Sequence, residues 1–368
     1  MWRPILAMPA SPGRRACVGA RPCLSAHRAP MEPGGGRSGT LPHRAGQSRQ
    51  GRSLRQREID MSVSVIMSAY NRERYVEESV ESVLAQTYDD FELIIIDDAS
   101  RDGTPAILDR IAARDARVRV VHQPQNKGLA PGRNLALSLA RYDLVACMDD
   151  DDIMLPTRLA RQVGFMREHP EVSVITSAAY LIDEFGETIG VSVPRVDSER
   201  GRREHDPSLF LELIHPTVMF RKRDVLAVGG YRDVPLEDRD LWGRMVTSGY
   251  RISVLPDFVM RHRRHSSLMT SNLRRLFEFG EYVDFNVLRR LRGEQEVSLD
   301  AFRAIMEAQP AMQRLARKKK NKAGIAFRKS TLYFSKRRWA PFLYHLATAL
   351  ALEPSYYTRR ILRKRAGV

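Results

Sequence analysis

The chain has 368 residues, 43% of them hydrophobic, which suits one large or two modest globular domains rather than a disordered or fibrous chain. Its net charge of +16 is unevenly placed: residues 1–57 hold 11 Arg and one acid, residues 301–368 hold 17 Lys and Arg and two acids, and 58–300 carry 32 basic against 41 acidic side chains. An acidic body with basic ends excludes a broad nucleic-acid footprint on the folded part, and three cysteines give no framework for a disulfide-stapled secreted fold.

Residues 1–57 are rich in Arg, Pro, Gly and Ser without apolar periodicity, and are expected to form no packed element. They read as a disordered extension, an organellar transit peptide, or a start assigned too early, with Met8, Met31 and Met61 as other starts. Pro4, Pro9, Pro12 and Arg14 interrupt any secretory apolar core.

From residue 63 the pattern becomes regular. Strands are expected at 63–67, 91–96, 118–121 and 144–148, and helices at 75–86, 104–113 and 132–139. Strands alternating with helices imply an α/β fold, a mostly parallel Rossmann-like sheet flanked by helices. In such sheets ligands bind beyond the carboxyl ends of the strands, where Ser68 and Tyr70, Asp97 and Asp98, and Asp149 through Asp152 gather. The stretch 172–270 is mixed, with strands at 172–176 and 252–255 and a helix over 241–248; 271–368 is mostly helical and basic.

Four consecutive aspartates repel one another unless a cation intervenes. A hard divalent ion takes carboxylate oxygens as ligands and completes its shell with phosphate oxygens. Asp149 and Asp151 leave the strand on the same side and can share such a site. The alternative is a solvated acidic turn, with Asp152 capping a following helix.

Val63-Ser-Val-Ile-Met-Ser-Ala-Tyr-Asn71, Ile96-Asp-Asp-Ala-Ser100, Asn126-Lys-Gly-Leu-Ala-Pro-Gly-Arg-Asn134 and Met148-Asp-Asp-Asp-Asp152 occur in that order. His215-Pro-Thr-Val-Met-Phe-Arg221, Val228-Gly-Gly-Tyr231, Leu236-Glu-Asp-Arg-Asp-Leu-Trp242 and Arg263-Arg-His265 follow. Over about 210 residues the set resembles the inverting glycosyltransferases of family 2, with the SpsA-type GT-A fold. The resemblance implies a nucleotide-sugar-binding subdomain at 58–171 and an acceptor-binding subdomain at 172–270; the helical basic extension at 271–368 lies outside it and is read from pattern and charge alone.

It also implies roles. Tyr70 would stack on the nucleobase, Asp98 would accept the base N–H, and Ser68 and Asn71 would line the same pocket. Arg133, near Lys127, would hold Asp98 or phosphate charge in place. Asp149 would contact ribose, Asp150 would lie beside it in the donor site, and Asp151, with His265, would ligate Mn²⁺ or Mg²⁺ at the diphosphate. Asp238 matches the catalytic base, with Glu237 and Asp240 as competitors; His215, Glu237 and Trp242 would line the acceptor pocket. Bland readings stand beside these: Tyr70 and Trp242 as core aromatics, Arg133 as a helix-surface ion pair, the acids of 237–240 as helix caps, and His265 as part of a solvated basic patch.

The implied activity is metal-dependent transfer from a UDP- or dTDP-sugar to a saccharide or lipid-linked hydroxyl, on the cytoplasmic side, with no nucleic-acid partner. A nucleotidylyltransferase would need a glycine-rich loop after the first strand, and Met67-Ser-Ala-Tyr-Asn71 has no glycine. A non-catalytic membrane- or nucleic-acid-binding protein acting through its tails is the other class. Arg317-Lys-Lys-Lys-Asn-Lys322 precedes a 14-residue apolar stretch at 339–352, too short to span a bilayer. It reads either as an interfacial helix drawn to anionic lipid at about 1 kcal/mol per basic side chain, or as part of a helical pair packed on the catalytic domain.

Overall fold

The computed structural model describes residues 61–264, 273–335, 338–355 and 357–358. In chain order the first half runs β1 (Val63–Ala69), α1 (Val76–Leu84), β2 (Phe91–Asp97), α2 (Thr104–Ala112), β3 (Val118–His122), α3 (Leu129–Leu139), β4 (Leu144–Asp149), β5 (Ile153–Met154) and α4 (Arg158–Glu168). Then come β6 (Val172–Ile182), β7 (Thr188–Ser192), α5 (Ser198–Glu204), β8 (Met219–Arg221), α6 (Lys222–Ala227), α7 (Glu237–Thr247) and β9 (Arg251–Arg263). The chain continues through α8 (Leu273–Leu291), α9 (Leu299–Ala308), α10 (Ala311–Ser335) and α11 (Trp339–Leu352).

Among the described residues the strands form one sheet in the order β3-β2-β1-β4-β8-β6-β9-β5, with β7 paired to β6. β3, β2, β1 and β4 are mutually parallel. β8 then runs antiparallel between β4 and β6. The parallel strands are apolar on both faces because helices cover both. Val63, Val65 and Met67 of β1 join Val76 and Val80 of α1 and Leu108 of α2 in one cluster. Ile66, between them in sequence, joins Ala136 of α3, Trp242 of α7 and Val287 of α8 on the opposite face.

Two elements start earlier than the sequence pattern suggests. α3 begins at Leu129, since Pro131 sits in its first turn where a missing N–H costs nothing. α7 begins at Glu237, so Glu237, Asp238 and Asp240 fall within its first turn, where the helix dipole favours acids.

α7 reaches α8 through Gly243. A Cβ there would lie 2.5 Å from Val287 Cγ2 and 3.1 Å from Arg290 Nη2. Val287 is fully buried and has no room to retreat. Gly243→Ala is expected to lower stability by about 1–2 kcal/mol in urea denaturation, overpacking outweighing the better helix propensity. A stabilised variant would show that α8 moves aside.

Candidate active site

β1, β2 and β4 end side by side. Register places Ser68 beside Asp149 and Ala69 beside Asp97, so Tyr70, Asp98 and the aspartate run emerge at one carboxyl edge. Asn71 and Ala99 hold the left-handed backbone there, at φ 53° and 62°. Asn71 ties the two loops together, donating its N–H to Ser100 Oγ (2.9 Å) and accepting from the N–H of Arg101 (2.8 Å).

A cleft of about 490 Å³ opens at this edge, lined by Tyr70, Asp97, Arg101, His122, Gln123 and Asn126 among others. Tyr70 is 41% exposed, so it stands at the cleft wall rather than in the core. Asp97 accepts from His122 Nδ1 (2.8 Å), whose Nε2 reaches Asp109 (3.0 Å). The bonds to these two carboxylates raise the His122 pKa.

Asp98 is buried, and its carboxylate already accepts the backbone N–H groups of Lys127 and Gly128 (both 2.8 Å) and Gln123 Nε2 (2.9 Å). It therefore braces the 123–128 loop. Lys127 contributes its backbone here, with an exposed side chain.

Arg133 does not hold Asp98. Its guanidinium pairs with Glu237 and stands 3.5 Å from Asp149, beneath the ring of Tyr231. Burial alone would lower its pKa, but the Asp149 and Glu237 carboxylates more than offset that and raise it. One buried cation thus joins the end of β4 to the start of α7. Gly132, one residue earlier, lets α3 approach β1: a Cβ there would lie 3.0 Å from Ser68 Oγ.

The four aspartates have separate partners. Asp149 faces Arg133; burial pushes its pKa up to about 7, against Arg133 and with Asp152 and Asp151 adding. Asp150 accepts from the N–H of Tyr70 (3.1 Å) and from Arg72 Nε (3.2 Å), and burial together with Asp151 pushes it up to about 8. Asp151 lies 3.5 Å from the same Arg72 nitrogen. Asp152, fully buried, accepts from the N–H of Arg263 (2.6 Å) and meets His262 Nδ1 (2.9 Å), pinning β9 to the sheet edge. The run turns at Asp150 and Asp151 but is largely buried rather than solvated, and it caps no helix, because Ile153 and Met154 continue as a strand paired with β9.

Among the described residues no group of three or more His, Cys, Asp or Glu forms a closed metal cage. Asp149 and Asp151 nevertheless offer hard oxygen donors at one strand end. That set fits a Mg²⁺- or Mn²⁺-like ion that takes one or two protein carboxylates and fills its shell from a diphosphate. His265 lies outside the described residues.

The first turn of α7 distinguishes its acids. Glu237 is engaged by Arg133, and burial raises its pKa. Asp240 is buried against Arg244 Nε at 2.8 Å. Asp238 is half-buried, and its carboxylate accepts the N–H of Arg239 (2.7 Å). Asn134 fixes the preceding loop, donating to the Tyr231 carbonyl (2.7 Å) and accepting its N–H (2.9 Å).

His215 and Trp242 lie deeper. Trp242 is 1% exposed and packs on His215 (5.9 Å) and Phe220 (6.2 Å), below any surface that an acceptor would reach. This is a core position, so the acceptor-pocket expectation for Trp242 gives way to packing. Burial pushes the His215 pKa well down. Arg72, His122, Gln123, Asn134, His262 and Arg263 are site or bracing residues to which sequence reasoning gave no role; only Asn134 and Arg263, at the ends of motifs, and Arg72, directly after one, carried a local signal.

Residues 64–226 match the family model described as glycosyl transferase family 2. EpsE of Bacillus subtilis (strain 168) is 37% identical over 209 residues, covering 55% of this chain and 73% of that protein. The amylovoran biosynthesis glycosyltransferase AmsE of Erwinia amylovora is 32% identical over 214 residues, covering 56% and 77%. Among solved structures, S. aureus TarS 1–349 in complex with UDP-GlcNAc superposes with a TM-score of 0.51 at 18% identity, covering 81% of this chain and 92% of that one, a likeness of fold. Motif order, the sheet with its carboxyl-edge site, and relatives matched over about three quarters of their length agree: the chain is an enzyme of glycosyl transferase family 2, with the GT-A fold.

Proposed function

We propose that this glycosyltransferase moves a sugar from a UDP- or dTDP-linked donor to a saccharide or lipid-linked hydroxyl, with inversion and with Mn²⁺ or Mg²⁺ at the diphosphate. The observation that carries the reading is the Asp149–Arg133–Glu237 bridge, which fixes the donor-side strand end against the helix that bears Asp238. A base cleft at Tyr70 and the acid run share one edge, with Asp150 bonded to the Tyr70 N–H. The TarS structure named above holds UDP-GlcNAc, and AmsE is named for a polysaccharide, which accord with this donor and acceptor class.

In this reading Tyr70 stacks on the base and Asp149 meets the ribose. Asp238 takes the proton of the acceptor hydroxyl as that oxygen bonds to the anomeric carbon, while the bond to the diphosphate oxygen breaks on the opposite face. A bound cation, held by Asp151, would supply charge stabilisation at the departing diphosphate. Glu237 and Arg133 hold the start of α7, so the Asp238 carboxylate is presented without searching for its geometry. The enzyme would work on the cytoplasmic side of a membrane; among the described residues no helix is long and apolar enough to cross one.

A thermal-shift series on the full chain, with nucleotide-sugars and with or without Mn²⁺ or Mg²⁺, tests the donor class. A UDP- or dTDP-sugar at 100-fold over Kd with cation should add about 2.7 kcal/mol of stability. Equal stabilisation in chelator, or none by any nucleotide-sugar, would overturn the reading.

A further inference from the structure

α11 is an uncharged 14-residue helix, Trp339-Ala-Pro-Phe-Leu-Tyr-His-Leu-Ala-Thr-Ala-Leu-Ala-Leu352, that the described residues cover on one side only. Its inner side packs on α10 through Ala349, against Ala323 and Ala326. Tyr333 of α10 stacks on His345 at 5.4 Å, and Phe334 meets Trp339 at 5.7 Å and Phe342 at 5.3 Å. The outer side is open. Trp339, Leu343 and Tyr344 are 58%, 59% and 68% exposed, and Ala340, Ala347 and Ala351 continue the exposed stripe at helical spacing. Phe334, at the turn of the hairpin, is 52% exposed as well.

The charge around this face has one sign. Residues 311–358 hold 11 Lys and Arg and a single acid, Glu353. Lys318, Lys319, Lys320 and Lys322 are exposed on α10, beside exposed Met312 and Leu315, and Arg338 is exposed at the start of α11. Arg317 is occupied with Glu281 of α8 (2.8 Å), which ties the hairpin to the rest of the protein.

We propose that the α10–α11 hairpin is a docking surface for an anionic lipid bilayer, lying in its interface with the Trp339–Leu343–Tyr344 face inserted and the lysines of α10 on the headgroups. The chemistry fits in three ways. Trp and Tyr favour the boundary between acyl chains and headgroups. An apolar helix flanked by cations binds by apolar burial plus attraction to anionic lipid. A length of 14 residues lies on a bilayer instead of spanning it. A second copy of the chain is the poorer occupant, because a symmetric pairing of this face would set two strongly cationic segments against each other. Docking would hold the catalytic edge near lipid-linked hydroxyls; that consequence rests on the proposed function, whereas the docking itself does not.

Flotation of the full chain with vesicles tests the surface. Mixed phosphatidylglycerol–phosphatidylcholine vesicles should carry the protein upward in low salt, pure phosphatidylcholine should carry far less, and high salt should weaken the binding. Leu343→Glu should raise the lipid needed for half-binding at least tenfold, with Leu343→Met restoring it, and Lys319→Gln should raise it roughly fivefold. These positions are exposed, so unchanged thermal midpoints check that folding is intact. No flotation on anionic vesicles in low salt, or equal binding by Leu343→Glu, overturns the proposal. A dimer in light scattering that Leu343→Glu dissolves, without vesicle binding, overturns it in favour of self-association.

Discussion

Replacing Asp238 by Asn should lower kcat about 10²–10⁴-fold while donor affinity stays within about twofold. Asn is close in shape, and its side-chain oxygen can still accept the N–H of Arg239, which Asp238 holds at 2.7 Å. What it loses is the ability to take up a proton. The neighbouring acids have other duties: Glu237 is engaged by Arg133, and Asp240 is buried against Arg244. Glu237→Gln should therefore behave differently, weakening the bridge to Arg133 and lowering thermal stability along with activity. Steady-state rates and donor-binding isotherms on both variants separate the roles. Near-normal kcat in Asp238→Asn would remove it as the base and leave Glu237 as the nearest candidate.

The part of the fold that positions the donor was legible because it is built from local pattern. Each parallel strand is an apolar run, each helix between them has its own periodicity, and parallel order sends all their carboxyl ends to one edge. That reasoning places Ser68, Tyr70, Asp98 and Asp149 through Asp152 together without any geometry. It fails where partners are far apart in sequence. Arg133 and Glu237 are 104 positions apart, and Asp152 reaches Arg263 across 111. A carboxylate run also looks uniform in sequence, whereas the fold gives its members four different surroundings. Asp98 illustrates the same limit: its carboxylate is filled by backbone N–H groups of Lys127 and Gly128, about thirty positions on in a neighbouring loop, which no side-chain motif encodes. Trp242 illustrates the reverse, an aromatic within a functional motif that the packing of α7 turns into the core.

Between about pH 5 and pH 8.5 the chelator-treated protein should lose stability as pH rises. Asp149 and Asp150 are raised from 3.8 to about 7 and about 8, because burial and mutual repulsion disfavour their charged forms. In the unfolded chain both are ionised above about pH 4, so in this window the folded state binds more protons. Their contribution is therefore full below the unfolded value and disappears as pH passes the folded values. Water reaches 34% of the Asp149 side chain, which discounts its share, so the more deeply buried Asp150 carries the larger part of the loss. Asp150→Asn keeps an acceptor for the Tyr70 N–H while removing one charge, so its profile should be flatter and its stability at pH 8 higher than that of the unaltered protein. Adding Mg²⁺ or Mn²⁺ with a nucleoside diphosphate should flatten the profile too, with protons released on binding, because a cation favours the ionised carboxylates. Urea midpoints across the pH series, with and without chelator, measure all three curves. If stability in chelator is level or rises toward pH 8.5, these carboxylates are already balanced by Arg72 and Arg133, and the need for a further cation at the end of β4 disappears.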